Sequence, residues 1–234
     1  IPTVGRAILP LREILKYKFK LIVAIDNNNL FKKKFVKKYS KEINQKKMQV
    51  LSINKKVGIN RIRYFGALKA VSEYILFVDD DDNVNGKQLM KIVKLLSRYK
   101  TDLVISNYEL RLNKKKITVS PFINFFGKYS PFVKTITPGG GTIFSKKIIN
   151  NLYKYDFKNF EDWCAGIILI YKQKKKIVLN KEIFYYVNYK KKTKKNFFRT
   201  LKFRFNFSKK FGLIPIFHST ISYAITQIFL RKFK

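Results

Sequence analysis

RYFGALKAVSEYILFVDDDD, residues 63–82, runs a helical segment into a strongly apolar strand and then into four consecutive aspartates. Tyr74 to Val78 is aromatic, aliphatic and β-branched, the composition of a strand covered on both faces. Ending such a strand in Asp79, Asp80, Asp81 and Asp82 is physically odd. Adjacent carboxylates repel, so some must take up protons unless a cation or hydrogen-bond donors stand against them. The carboxyl ends of strands in open α/β sheets are also where ligands bind. The stretch therefore points to a divalent-metal site at the end of a central strand, built to hold a diphosphate. Three plainer readings compete. The acids can form a turn that simply stays solvated. Asp81, Asn83, Asn85 and Gly86 match the first half of a calcium loop, but Ile92 stands where its twelfth position needs a bidentate carboxylate. Asn85 can cap the following helix without help from the aspartates.

Upstream, Leu21 to Ile25 reads as a second buried strand, and it too ends in a polar run, Asp26-Asn27-Asn28-Asn29. Two strands ending this way suggest one shared rim. Ile8 to Tyr17 reads as a helix, Lys32 to Lys47 as a basic helix or loop, and Met48 to Leu51 as a short strand. Gly58-Ile59-Asn60 opens the helix that carries Arg63, Ala67 and Ala70. Downstream, a helix over 87–99 turns Leu89, Ile92, Val93 and Leu96 inward, and Asp102 to Ser106 forms another strand. Strands alternating with helices predict a parallel, doubly wound sheet.

The second half changes character. Residues 109–119 read as a polar hairpin and 121–137 as an irregular aromatic segment. Pro138-Gly139-Gly140-Gly141 is either a plain turn or a loop where backbone approaches a ligand closely. Thr142 to Phe144 is a strand and Lys146 to Leu152 a short helix. Phe160-Glu161-Asp162-Trp163 opens an apolar helix. Its acids either favour the helix dipole or include a general base of tuned pKa beside Trp163. Ile177 to Leu179 and Ile183 to Val187 close the sheet as two strands.

A chain of 234 residues can bury one good core with an appendage, and 46% hydrophobic content keeps so charged a chain globular. The net charge of +37 calls for a polyanionic neighbour: nucleic acid, an anionic membrane surface or phosphorylated substrates. Cys164 is the single cysteine, which excludes an internal disulfide framework and suits a reducing cytosol; His218 is the single histidine, which argues against a His-rich zinc site. The chain opens at Ile1 without Met and without a visible secretory signal, so a few residues, most of a first strand, are expected to precede it.

From Ile183 to the end there is no acidic residue, and basic and aromatic side chains interleave through Lys190, Lys194, Phe197, Arg199, Phe203, Arg204, Phe207 and Lys210. That pattern suits an anionic membrane interface, or single-stranded nucleic acid by stacking and charge. Residues 211–230 carry no charge and are long enough to span a bilayer. Pro215, His218, Ser219, Ser222 and Gln227 make a poor spanning segment. An in-plane helix or a re-entrant hairpin is expected, against the alternative of a helix packing back on the preceding domain.

Together these motifs resemble family-2-type glycosyltransferases of the GT-A fold. That family opens with I-P-T, as Ile1-Pro2-Thr3 does, and its second strand ends in V-D-N-N-S or V-D-D-G-S, against Ile25-Asp26-Asn27-Asn28-Asn29 here. Its most specific pattern is A-R-N-x-G-x-x-x-A-x-G-E-Y-I-x-F-L-D-x-D-D. Arg63, Gly66, Ala70, Glu73-Tyr74-Ile75, Phe77, Asp79, Asp81 and Asp82 fall on it without a gap, while Tyr64 replaces its Asn and Ser72 its second Gly. A Gly-rich loop followed by E-D-W matches Gly139-Gly140-Gly141 and Glu161-Asp162-Trp163.

The resemblance implies a GT-A-like α/β fold, a doubly wound and mostly parallel central sheet flanked by helices, over residues 1–189. A basic, amphipathic helical tail that associates with membrane would follow at 190–234. It implies an inverting, metal-dependent hexosyltransferase that moves sugar from a nucleotide-sugar donor, a UDP-sugar, to a hydroxyl of a glycan or lipid-linked acceptor in bacterial surface polysaccharide synthesis. Asp26 would accept hydrogen bonds from the base in a pocket lined by Pro2 and Thr3. Arg63, Asp79 and Asp80 would hold the rest of the donor nucleotide, Asp79 at the ribose. Asp81 would ligate Mg²⁺ or Mn²⁺, hard ions suited to carboxylate and phosphate oxygens. Asp162 would be the catalytic base. Gly140, Gly141, Glu161 and Trp163 would shape the acceptor site, with Glu161 the lesser candidate base and Trp163 either a pocket floor or core. The expected place is cytoplasmic, peripheral or monotopic at the inner face of the cell membrane, with the anionic surface rather than nucleic acid as partner. Two alternatives remain on the residues: a nucleic-acid-binding protein working through the tail, and a non-catalytic membrane adaptor that retains the fold.

Overall fold

The computed structural model describes residues 19–79, 82–112, 115–120, 141–152, 161–188 and 197–232. The helix expected over 8–17, the irregular segment 121–137 and the candidate residues Pro2, Thr3, Asp80, Asp81, Gly139 and Gly140 lie outside them. The chain divides into two compact units. Among described residues the second unit takes 162–174 together with 197–232, and the first takes the rest.

In the first unit β1 (Leu21–Asp26) pairs in parallel with β2 (Met48–Ile53), in a register that sets Asp26 beside Ile53. Asn27 follows in a left-handed conformation, φ 48°, which asparagine tolerates better than most residues. Asn28 then accepts the Phe31 N–H at 2.9 Å and caps α1 (Asn29–Lys38), so the run of asparagines is local turn and cap chemistry. A short α2 (Ser40–Asn44) completes what the sequence left as helix or loop. Phe35, Tyr39 and Met48 bury together beneath them.

Helix α3 (Ile59–Lys69) crosses over β1. At Gly66 an added Cβ would stand 3.7 Å from Ala24 Cβ and 3.9 Å from Ile22 Cγ2, ordinary contact distances. Glycine costs a helix interior about 1 kcal/mol relative to alanine. Gly66→Ala is therefore expected to raise stability by roughly that amount, read as an upward shift of the thermal or urea midpoint.

Among the described residues the remaining strands form one six-stranded sheet. These are β3 (Tyr74–Leu76), β4 (Asn83–Val84), β5 (Leu103–Leu112), β6 (Lys115–Val119), β7 (Thr142–Ser145) and β8 (Ile177–Asn188). Along its main path the order is β3-β7-β5-β8-β4, with β6 pairing β5. The α/β architecture with helices on the sheet is the expected one, but the pairing is mixed rather than mostly parallel. β1–β2 and β5–β8 are parallel; β3–β7, β5–β7, β4–β8 and β5–β6 are antiparallel. Part of the reason is chain length: only two residues separate β5 from β6, and so short a connection permits only an antiparallel hairpin.

Helix α4 (Gly86–Tyr99) is capped by Asn85, whose Oδ1 accepts the Gln88 N–H at 3.2 Å. It presses Leu89, Ile92 and Leu96 against Val84, Val104, Ile143, Phe184 and Tyr185, all less than 6% exposed. The two strands expected at 177–179 and 183–187 are one strand with an irregularity. Ser106 pairs with Asn180, yet two residues later Tyr108 pairs with Tyr185. The polar residues Lys181 and Glu182 occupy the bulge, where Asn107 Nδ2 donates to the Lys181 carbonyl at 3.0 Å. Bulges re-aim side chains, and this one precedes Tyr185. Helix α5 (Lys146–Leu152) follows β7 and is tied to the end of α3 by a hydrogen bond from Lys146 Nζ to the Ala70 carbonyl.

Helix α6 (Glu161–Gly166), which belongs to the second unit from Asp162 on, runs into a π-helical segment (Ile167–Lys172) with Ile167, Ile168 and Leu169 buried. Helices α7 (Phe197–Ser208) and α8 (Leu213–Lys232) pack on each other through a single 3₁₀ turn, Lys209–Phe211, and Gly212 at φ 108°. No helix among the described residues is long and apolar enough to cross a membrane.

Candidate active site

Strand β3 delivers Phe77, Val78 and Asp79 to the sheet's edge, and the chain turns there at once: Asp82 N–H donates to the Asp79 carbonyl at 3.2 Å. Each end of this turn has a donor of its own. Arg63 Nη2, from the middle of α3, reaches Asp79 Oδ1 at 2.6 Å, a charge-assisted contact. The arginine side chain is only 11% exposed and the aspartate 39%, so the pair joins a largely buried fork to a carboxylate that faces solvent. The guanidinium carbon also lies 5.9 Å from the centre of the Phe77 ring.

At the other end Tyr185 Oη donates to Asp82 Oδ2 at 2.7 Å and accepts the Asp79 N–H at 3.3 Å. One hydroxyl thus fastens both ends of the aspartate turn. Tyr185 is fully buried and Asp82 nearly so. Burial, followed by the negative charge of Asp82, pushes the tyrosine pKa far above its ordinary value, so the hydroxyl remains a proton donor at any physiological pH. Sequence reading placed Tyr185 only within an apolar strand. The available signal was that a tyrosine inside such a strand must find a partner for its hydroxyl.

Asp26, at the end of β1, accepts the N–H of Val57 at 2.8 Å on one oxygen and that of Gly58 at 3.0 Å on the other. It therefore anchors the loop that enters α3, where Gly58 turns at φ 86°. A carboxylate has about four acceptor positions, so both oxygens keep capacity for a further donor. Asp26, Arg63 and Asp79 are linked in this way through α3, which Asp26 holds at its start and Arg63 joins to the turn.

Gly141 is buried at φ 81° directly before β7, and a Cβ there would meet Tyr108 Cβ at 3.6 Å and Tyr185 Cβ at 3.8 Å. Its carbonyl accepts the Ser106 N–H at 3.0 Å. The positive φ favours glycine in its own right.

The E-D-W segment opens α6, placing Glu161 and Asp162 in its first turn. Trp163 takes the core side of its two readings. It is 3% exposed, lies 5.5 Å from the Phe207 ring and 6.2 Å from Phe203, and is covered by the Arg204 guanidinium at 4.7 Å. An acceptor floor needs an open ring face, and this indole has none to offer. Its packing holds α6 against α7 instead.

The donor set of the aspartate turn suits a hard divalent cation, since Mg²⁺ and Mn²⁺ take carboxylate oxygens and Asp79 is partly open to solvent. Among the described residues no three His, Cys, Asp or Glu side chains are grouped to hold a metal. Asp79 and Asp82 would need Asp81, outside those residues, or oxygens of a bound ligand.

The profile of glycosyl transferase family 2 matches residues 1–151. No curated protein sequence matches the chain. Among solved structures, residues 1–349 of TarS from S. aureus superpose with a TM-score of 0.61 at 18% identity, over 80% of this chain and 58% of that one. The complex of the same protein with UDP gives 0.62 at 19% identity, over 80% and 57%, and the complex with UDP-GlcNAc 0.61 at 17%, over 81% and 57%. The chain thus spans under two thirds of the length of these neighbours, and at such identities they speak for the fold. With the family profile covering the strand, the aspartate turn and the helix that bears Arg63, the chain belongs to glycosyl transferase family 2 and has a fold of the GT-A type.

Proposed function

We propose that the protein is an inverting, metal-dependent transferase that moves a sugar from a UDP-sugar to a hydroxyl of a glycan or lipid-linked acceptor in surface polysaccharide synthesis. The observation that carries this is the fastening of the turn 79–82. A largely buried arginine and a buried tyrosine hydroxyl each hold one outer aspartate, which a merely solvated turn does not need. The complexes of TarS with UDP and with UDP-GlcNAc make a UDP-sugar the first donor to try.

In this reading Asp26, with Pro2 and Thr3, receives the base, and Arg63, Asp79 and Asp80 border the ribose and diphosphate. Asp81 would be the carboxylate for Mg²⁺ or Mn²⁺, with Asp79 and Asp82 held on either side of it by Arg63 and Tyr185. An ion held there would supply positive charge where the departing diphosphate gains negative charge. Asp162 takes the proton of the acceptor hydroxyl as its oxygen bonds to the anomeric carbon. The bond from that carbon to the diphosphate oxygen breaks on the opposite face, its electron pair leaving with UDP. One displacement inverts the centre. Gly140, Gly141 and Glu161 border the acceptor side.

The test is UDP release from a panel of nucleotide sugars, UDP-GlcNAc first, with wild type and Asp81→Ala. Chelation of divalent ions is expected to abolish release, and Mn²⁺ or Mg²⁺ to restore it in wild type but not in Asp81→Ala. Absence of release from every donor with either ion present removes the proposal.

A further inference from the structure

The α7–α8 hairpin is built inside out. Thr200, Arg204 and Ser208, spaced four apart on α7, are all buried, and so is Ser219 on α8. Ser208 and Ser219 share a hydroxyl–hydroxyl hydrogen bond of 2.7 Å, and Arg204 Nη1 donates to the Ser219 carbonyl at 3.0 Å. The Arg204 guanidinium is also covered by the Tyr223 ring at 4.9 Å. Meanwhile Leu213, Ile214, Phe217 and Ile221, which share one face of α8, are 84%, 54%, 60% and 41% exposed. Phe198 and Phe205 on α7 are exposed as well. A hairpin folded for water puts its large apolar side chains in the seam and its hydroxyls outside. Small hydroxyl residues between helices, bonded across the seam, with large apolar side chains outward, is the arrangement suited to lipid.

Charge identifies the lipid. Lys209 and Lys210 stand exposed at the turn immediately before Leu213, Lys202 is exposed on α7, and residues 183–234 contain no acid to oppose them. Apolar side chains beside exposed lysines match acyl chains beneath anionic headgroups. We propose that the tip of this hairpin, Lys209 and Lys210 with Leu213, Ile214, Phe217 and Ile221, is a docking surface for an anionic bilayer, lying in the interface rather than crossing it. Binding of this kind needs neither donor nor turnover, so it stands or falls apart from the transferase reading.

The full chain is mixed with sedimentable vesicles of phosphatidylglycerol or of phosphatidylcholine, without any sugar nucleotide. Wild type is expected to bind the anionic vesicles and not the zwitterionic ones. Lys209→Gln with Lys210→Gln should weaken binding by on the order of tenfold at low salt. Leu213→Glu with Phe217→Glu should abolish it, with an unchanged thermal midpoint as control. If that pair fails to fold, Phe217→Trp gives a second readout, expected to be quenched by brominated phosphatidylglycerol well beyond the buried native Trp163. Binding that ignores all four substitutions overturns the proposal, as does absence of binding to anionic vesicles. It is equally overturned if wild type dimerises without lipid and the glutamate variant is monomeric, since a second copy would then cover the face. Single-stranded oligonucleotides that bind the hairpin tip and exclude the vesicles would overturn it in favour of nucleic acid.

Discussion

Asp162→Asn is expected to lower turnover by about 10²–10⁴-fold, the usual yield of a positioned general base, while leaving UDP affinity near the wild-type value. The substitution keeps shape and removes only the ability to take a proton. In the proposed reading donor binding rests on other elements, the end of β1 and the Arg63–Asp79 pair beyond β3, so a loss confined to kcat would separate proton transfer from binding. Asp162 also stands directly before a residue that cannot easily move. Trp163 is locked among Arg204, Phe203 and Phe207, which fixes the backbone that presents the acid. Glu161→Gln is the internal comparison, expected to cost far less. Equal losses in the two variants would mean that the base is shared or misassigned, and an unchanged rate in Asp162→Asn would mean that Asp162 is not the base.

What the sequence made legible was periodicity and strand punctuation. Leu89, Ile92 and Leu96 repeat at helical spacing and do form the buried face of α4, and Asn85 is the cap; Tyr74 to Leu76 is a strand, but it stands at the end of the described sheet with only Ile75 buried, not at its centre. Pairing direction was not legible, because antiparallel β7 presents the same apolar run to a reader as a parallel strand does. Nor was the bulge at Lys181 and Glu182, where a polar break between two apolar runs looks like a turn between two strands. The aspartate run could be flagged as needing compensation, but its compensators come from 16 and 103 residues away, Arg63 to Asp79 and Tyr185 to Asp82. Only the first carried a local motif. The tail shows the same limit: its basic and aromatic composition was plain, while the seam of Ser208, Ser219 and Arg204 depends on how two helices meet.

Tyr185→Phe tests that hidden compensator and is expected to cost about 1.5–3 kcal/mol of stability, the range for a hydrogen bond to a charged group. The ring remains, so no cavity term enters. Only the donor to Asp82 and the acceptor for Asp79 N–H are lost. The same change should reduce kcat/KM by on the order of 10²-fold, because a displacement of the turn by a single ångström is enough for such a loss. Adding Asp82→Asn removes the buried charge along with its donor, so the double variant should lose less stability than the two single losses combined, a coupling of about 1–3 kcal/mol. The pH dependence has a definite sign. The folded pKa of Tyr185 is raised, chiefly by burial, so its contribution is complete below the unfolded value of 10.0 and is lost as pH rises beyond it, when the unfolded hydroxyl ionises and the folded one does not. The stability gap between wild type and Tyr185→Phe should therefore be constant from neutral pH to about 10 and then narrow by up to ~1.4 kcal/mol per pH unit. Many other groups titrate in that range, but they are common to both proteins and cancel in the difference. A gap that stays flat above pH 10 would mean that Tyr185 does not hold its proton against Asp82, and the aspartate turn would then have to be fastened by Arg63 alone.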